Sequence, residues 1–379
     1  MSAADQDAAP VVLRGGTVHD PATGRARVTD VRLEGGVIAT GDAQPGDRVI
    51  DVTGRIVSPG LVDLHTHIFA GQDLGVDADG VAFPSGTTTM IDTGSAGAHL
   101  IGAFRASTLE RSTVGIRAFL NIATIGATSI LLGGELRAPW YVSEEEAVAA
   151  IDAHRDFVVG VKVRASADVG GEHALPALAA ARRVADRVGL PLMVHLGPPP
   201  VGVDEIADSL REGDILTHAF TGWPGNAVVD DDGRTRPSVA RARQRGVLLD
   251  IGHGASGFSL EVARRMLAAG QPPDTISTDL HAYSSKTVGD LPQVMSRFLA
   301  LGMPLGDVLR CTTVTPARAV GLAVGELTPG SRADVTVLEL VDADVEYADG
   351  FGATIRASRE LRAVQTFLGG QQVYERGSA

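Results

Sequence analysis

Two histidines one residue apart, His65 and His67 in LVDLHTHIF, are the first side chains whose types and spacing suggest chemistry. Side chains alternate along an extended strand, so both imidazoles face the same way and can share one cation. The pair alone is weak evidence, because 10 histidines in 379 residues give about a quarter of an H-x-H pair by chance. Four further apolar runs end in a group that can bind a metal or handle a proton: Lys162 in VVGVKVR, His195 in PLMVHLG, His218 in ILTHAF and Asp279 in TISTDL. Packing has no use for ligand-type residues at the ends of so many apolar runs, whereas a shared metal site needs them there.

Lys162 is the odd member of this set. Val158, Val159, Val161 and Val163 surround it in a run that reads as a buried strand, where an unpartnered ammonium is costly. Of the 33 Lys plus Arg, only Lys162 and Lys286 are lysines, so arginine is the ordinary cation of this chain. A neutral lysine amine can add carbon dioxide to give a carbamate, an anionic two-oxygen ligand able to bridge two divalent ions. Arginine cannot, because its guanidinium does not deprotonate, whereas lysine shifts its pKa readily on burial. Two divalent ions set against the carbamate, Asp279 and a bridging hydroxide leave a small positive charge that suits an anionic substrate. The expected reaction is attack of that metal-bridging hydroxide on a polarised carbonyl, with Asp279 taking the proton as general base and returning it as general acid to an amine or alcohol. Histidine-rich ligation points to zinc, and manganese or cobalt suit the same donors.

The elements that must position these residues are legible as apolar runs of four to eight residues, each followed by a loop and an amphipathic helix-like segment. There are eight such runs: LVDLHTHIF, TTTMIDTG, IRAFLNIATIG, VVGVKVRAS, PLMVHLG, DILTHAF, GVLLDIG and TISTDLH. This repetition predicts an α/β chain with a (β/α)8 TIM barrel over residues 58–322, with the ligands on the rim where the strands end. Residues 10–57 and the C-terminal segments ADVTVLEL and RAVQTFLGGQQVYERG have β character, so residues 1–57 and 323–379 are expected to form one composite β-sandwich domain.

Substrate contacts are harder to assign. Arg164 shares the parity of Lys162, so its fork either holds a substrate carboxylate or pairs with an acidic loop residue. His253 and Tyr283, in the loops after the seventh and eighth runs, are candidates to hydrogen-bond substrate or to brace those loops. His281 is a weaker candidate and Lys286 reads as a solvated surface charge. Asp63 and Asp250 read as hydrogen-bonded structural groups. Trp140 and Trp223 either wall an apolar pocket or anchor their loops.

A formal charge of −13 argues against a phosphate-backbone partner and leaves small molecules as the expected ligands. The N-terminus MSAADQDAAP lacks a charged n-region and an apolar h-region, and no apolar run is long enough to span a membrane. Cys311 is the single cysteine, which excludes a disulfide within the chain. The expectation is a cytoplasmic, homo-oligomeric protein without nucleic-acid or membrane partners. No serine sits in a G-x-S-x-G elbow, which disfavours a serine hydrolase.

Taken whole, the chain resembles the amidohydrolase superfamily of metal-dependent hydrolases: DVTGRIVSPGLVDLHTH is similar to its entry into the first strand and TPARAVGLAVGELTPGSRADVTVLEL to its exit from the barrel. The resemblance implies that His65 and His67 bind one metal and His195 and His218 the second. It further implies that carbamylated (N6-carboxylated) Lys162 bridges both and that Asp279 completes the first site. VKVR, DIGHGASGF and STDLHAYSS look most like the dihydroorotase-like amidohydrolase/deacetylase group, which implies hydrolysis of an amide or ester bond in a small acetylated amino or hydroxy acid. The alternatives are a cyclic amidohydrolase acting on dihydroorotate- or hydantoin-like rings, a mononuclear deaminase, which leaves Lys162 without a purpose, and a non-catalytic scaffold.

Overall fold

The computed structural model describes residues 9–132 and 134–377. The N-terminal segment carries β1 (Val11–Arg14), β2 (Thr17–Asp20), β3 (Arg25–Val28), β4 (Val31–Glu34), β5 (Val37–Ala39), β6 (Arg48–Asp51) and β7 (Ile56–Pro59). The central segment carries β8 (Leu61–Thr66), β9 (Thr87–Gly97), β10 (Gly115–Asn121), β11 (Val158–Arg164), β12 (Leu192–His195), β13 (Ile215–Thr217) and β14 (Leu248–Leu249). The chain ends with β15 (Val335–Ala348), β16 (Thr354–Leu368) and β17 (Gln371–Glu375).

Strands β8 to β14 form a parallel sheet in chain order. They are apolar on both faces because helices cover the outside, which explains continuous rather than alternating hydrophobic runs. One covering helix, Ala174–Val188, shows how: Ala177, Leu178, Ala181, Val184, Ala185 and Val188 form its buried stripe. It stops at Gly189, whose φ of 67° supplies the left-handed cap. The eighth apolar run forms no regular strand. Its residues 275–280 nevertheless lie between the two sheet edges. The Ile251 and His253 amides donate to the Thr275 and Ser277 carbonyls, and the Asp279 amide donates to the His65 carbonyl at 2.7 Å. Parallel bridges join Asp250 to Thr275 and Thr66 to Leu280.

The two ends of the chain meet. One sheet has the order β5-β4-β1-β6 and the other β17-β16-β15-β7-β2-β3, so the latter mixes N- and C-terminal strands. Val11, Leu13, Leu33 and Val52 pack in one apolar cluster with Val57, Val335, Val337 and Phe367. The C-terminal hairpin is longer than its apolar pattern suggests, and its tip reaches the helix and loop that follow the last parallel strands: Asp349 accepts the Leu260 amide at 2.8 Å, and Phe351 meets Trp223 edge-on at 5.6 Å. Cys311 is buried, with its thiol against the Pro273 carbonyl. Among the described residues, no helix is long and apolar enough to cross a membrane.

Candidate metal centre

Five of the six expected ligands lie at the C-terminal ends of the parallel strands, and the sixth on the segment that joins the two sheet edges. His65 and Lys162 lie within β8 and β11, and His195 ends β12. His67 and His218 follow β8 and β13 by one residue, and Asp279 comes from the closing segment. His65 Nε2 and His67 Nε2 are each 3.3 Å from Asp279 Oδ1. These three residues form a cluster whose ligand atoms lie within 4.8 Å of one another. The His195 and His218 rings meet at 4.4 Å, and the His65 and His218 rings at 5.0 Å. Lys162 Nζ sits 3.4 Å from His65 Nε2.

Two of these positions are strained. Among the described residues, His218 (φ 59°) and Asp279 (φ 49°) are the only non-glycine residues at positive φ. Such a conformation costs about 1–3 kcal/mol and persists only where its surroundings enforce it. Here the Asp279 amide is tied to β8 and the Ala219 amide to the Asp250 carbonyl. The glycines of DIGHGASGF serve the same packing. A Cβ on Gly254, itself at φ +49°, would lie 2.3 Å from Asp279 Oδ2, and one on Gly257 would lie 2.2 Å from His218 Nδ1.

Burial dominates the electrostatics. It drives the His65 and His195 imidazoles well below their ordinary range and His218 down to about 4, so these rings are neutral and available as ligands. Burial likewise pushes the Lys162 amine down to about 7, although Asp279 and Asp250 pull the other way. Burial would raise the Asp279 carboxyl, but His65, His67 and His218 outweigh it and hold it well below the carboxylate range. His218 Nδ1 lies 2.6 Å from the Gly252 carbonyl, which only accepts, so that nitrogen carries the proton and Nε2 keeps a lone pair. A carboxylate oxygen facing largely buried imidazole nitrogens is a donor set that fits a divalent cation.

A cavity of about 190 Å³ opens onto this centre, walled by the four histidines, Asp279, Arg164, Leu74, Leu196, Pro198, Trp223, His281 and Tyr283. The family model described as the amidohydrolase family matches residues 56–219 and 243–373, which carry all six of these residues. The chain belongs to the amidohydrolase family. A deacetylase of Agrobacterium fabrum is 35% identical over 353 residues, covering 91% of this chain and 86% of that one. A crystal structure of a dihydroorotase superposes with a TM-score of 0.90 at 33% identity, over 97% of this chain and 98% of that one. A crystal structure of an adenine deaminase gives the same TM-score at 27% identity, over 97% and 100% of the two chains. This amidohydrolase-family chain is therefore a hydrolase acting on carbon–nitrogen bonds.

Within the amidohydrolase site, the expected substrate contacts are placed unequally. Arg164 lines the cavity, but its fork is closed onto buried Glu135, with Nε–Oε1 at 2.9 Å and Nη2–Oε2 at 2.6 Å. It is a partnered arginine rather than an open carboxylate clamp. His253 turns into the core, stacking on Phe258 at 4.9 Å with Nδ1 against the Gly254 carbonyl, and is not a cavity wall. Tyr283 stands at the mouth, its hydroxyl 3.4 Å from Asp73. Trp223 lines the cavity, whereas Trp140 is 77% exposed away from it. Lys286 is exposed, as its polar surroundings suggest. Asp63 accepts the Thr278 amide and hydroxyl, which ties the closing segment to β8. Glu135, which pairs with Arg164, and Asp168 and Ser256, which line the cavity, are not legible in the sequence: each sits in a loop, where no periodicity tells inward from outward.

Proposed function

We propose that the protein is a binuclear metal-dependent hydrolase that cleaves the amide or ester bond of a small acylated, in particular acetylated, amino or hydroxy acid. The observation that carries this reading is the convergence of four imidazoles, one carboxylate and one buried lysine at the ends of the parallel strands. The acetyl preference is supported by the relative called a deacetylase and by a cavity of about 190 Å³ that suits a small acid with a short apolar group.

Burial holds the Lys162 pKa down to about 7, so unprotonated amine is available at neutral pH. That nitrogen, 3.4 Å from His65 Nε2, would add to carbon dioxide with release of one proton, giving an anionic two-oxygen ligand. His65, His67 and Asp279 would hold one divalent ion and His195 and His218 the other, with the Lys162 carbamate shared. When bound, such ions acidify water and polarise a carbonyl, zinc being favoured by the histidine-rich donors and manganese or cobalt also suited. Asp279 accepts the proton of the attacking water and delivers it to the departing amine or alcohol. Leu74, Leu196, Pro198 and Trp223 exclude bulk water around the acyl group. Arg164, whose charge Glu135 neutralises, is not the anion anchor, and an anionic substrate would instead be drawn by the positive charge that bound ions supply.

The same reading takes the parallel sheet with its closing segment as a (β/α)8 barrel domain over residues 58–322. It takes both chain ends, 1–57 and 323–379, as one β-sandwich domain, in a homo-oligomer without nucleic-acid partners. The superposition on a dihydroorotase favours cyclic amides as the second substrate reading. The test is a screen of metal-loaded enzyme, grown with bicarbonate, against N-acetyl amino acids, O-acetyl hydroxy acids and cyclic ureides. Turnover of the cyclic compounds alone overturns the acyl reading, and native mass spectrometry showing a bare Lys162 in active enzyme overturns the carbamate.

A further inference from the structure

His65 stands between two competing acceptors. On one side its Nε2 faces Asp279 Oδ1 at 3.3 Å. On the other its Nδ1 lies 2.8 Å from the Thr217 hydroxyl, which is 2.7 Å from Asp250 Oδ2. A neutral imidazole has one N–H, and whichever acceptor takes it decides which nitrogen keeps a lone pair. The hydrogens around Asp250 settle the contest. Asp250 is fully buried and is approached by three hydroxyls: Thr217, Thr275 at 2.7 Å, and Ser277 at 2.8 and 2.9 Å. Ser277 already accepts the Gly252 amide at 3.0 Å, so its own hydrogen goes to Asp250. Thr217 has one hydrogen, and once that is donated to Asp250 its oxygen can only accept. Asp250 itself is 3.7 Å from His65 Nδ1, beyond a direct hydrogen bond.

We propose that Thr217 and Asp250 are positioning residues, a hydroxyl–carboxylate relay that holds the proton of His65 on Nδ1 and leaves the Nε2 lone pair aimed into the site. Without the relay the proton moves to Nε2 and is captured by Asp279, and the same two atoms that should share a cation bind each other instead. The inference rests on the metal-centre reading above. It explains why a carboxylate with no path to substrate is buried one residue beyond β14, surrounded by three hydroxyls from the end of β13 and the closing segment.

The test starts on the metal-free wild-type chain, labelled with 15N-histidine and read by NMR, with the His65 signals assigned from a His65→Gln variant. The expected result is a protonated Nδ1 and an unprotonated Nε2; a protonated Nε2 overturns the proposal without any relay variant having to fold. Zinc affinity is then measured by chelator competition. Thr217→Ser, which restores the hydroxyl, should bind within about twofold of wild type, while Thr217→Val and Asp250→Asn should bind roughly 10–100-fold more weakly. Metal-free unfolding midpoints verify that all variants are folded. Wild-type affinity in folded Thr217→Val overturns the relay alone, whereas a wild-type chain that binds no divalent ion overturns the metal reading and leaves the tautomer to the NMR result.

Discussion

Beneath the cavity His65, Lys162 and His218 are 1%, 1% and 3% exposed and are each held by neighbouring strands, whereas Tyr283 at the mouth and Leu131, Leu132 and Trp140 on the connection between β10 and β11 are 47%, 74%, 80% and 77% exposed. The floor is built from strand ends, where one residue's placement fixes the next. The rim is built from long connections whose side chains meet few partners. Chemistry that needs sub-ångström placement belongs to the first region, and discrimination among substrates to the second. The floor also divides its own two cations. Arg164 is given a buried counter-ion in Glu135, while Lys162, two residues earlier on the same strand, is given imidazoles and a thioether, with the Met193 sulfur 3.4 Å from Nζ. One is built to stay charged and the other to lose its proton.

Disturbing the floor should have the largest effects. Asp279→Asn keeps the shape of the side chain but removes its basicity, so kcat should fall by about 10²–10⁴-fold with metal content maintained. Steady-state rates alongside metal analysis check this, and a normal rate with bound metal would take Asp279 out of the proton chemistry. Next comes the buried amine. The folded pKa of Lys162 lies near 7, below its ordinary 10.5, so the native state resists a proton that the unfolded chain accepts. The penalty is fully present below pH 7, shrinks between pH 7 and 10.5, and vanishes above that range. Lys162→Met should therefore stabilise the metal-free, carbon dioxide-free protein below pH 7 by something on the order of 4 kcal/mol, with little gain near pH 10. Denaturant midpoints across pH report the difference, and a gain independent of pH would contradict the cause.

The partnered cation behaves in the opposite way. Burial pushes the Glu135 carboxyl up, but Arg164 more than compensates and holds it below its ordinary 4.5. Its stabilising contribution is present above that value and is lost as pH falls through the lower folded value. Glu135→Gln strands the Arg164 guanidinium in the core, and the expected loss is about 3 kcal/mol at pH 7. That loss should narrow on acidification, because the wild type then loses the pair as well. Equal stability of the variant at neutral pH would mean that Arg164 finds another partner.

How much of this was readable in the sequence follows the same division. The floor was legible because strand parity is a hard constraint. His65 and His67 share a face, Arg164 shares that of Lys162, and a lysine inside an apolar run of an arginine-rich chain singles out Lys162. The eighth apolar run was legible as a sheet element, although it pairs through single bridges and yields no regular strand. Glu135 was not legible, because it lies in the long connection between β10 and β11, where only the folded path brings it to Arg164. Nor was the hydroxyl shell of Asp250, which draws on Thr217 and on Thr275 and Ser277 nearly sixty residues later, joined only when the closing segment meets the sheet. The two tryptophans make the limit plain: both lie in loops after strands, and nothing in their surroundings says that Trp223 faces the cavity and Trp140 faces water.

That last contrast gives the smallest expected effect. Trp223 lines the cavity and is braced edge-on by Phe351 from the C-terminal hairpin, so Trp223→Ala should raise KM several-fold by removing an apolar wall. Trp140 is 77% exposed and packs only loosely on Tyr141, with ring centroids 6.3 Å apart. Surface changes away from a cap, a buried pair or the core generally stay within about 0.5 kcal/mol. Trp140→Ala should therefore leave both the unfolding midpoint and kcat/KM within about twofold of wild type. A larger loss in kcat/KM with unchanged stability would show that the rim loop folds over the substrate during turnover, and the boundary between floor and rim drawn here would have to move outward to include it.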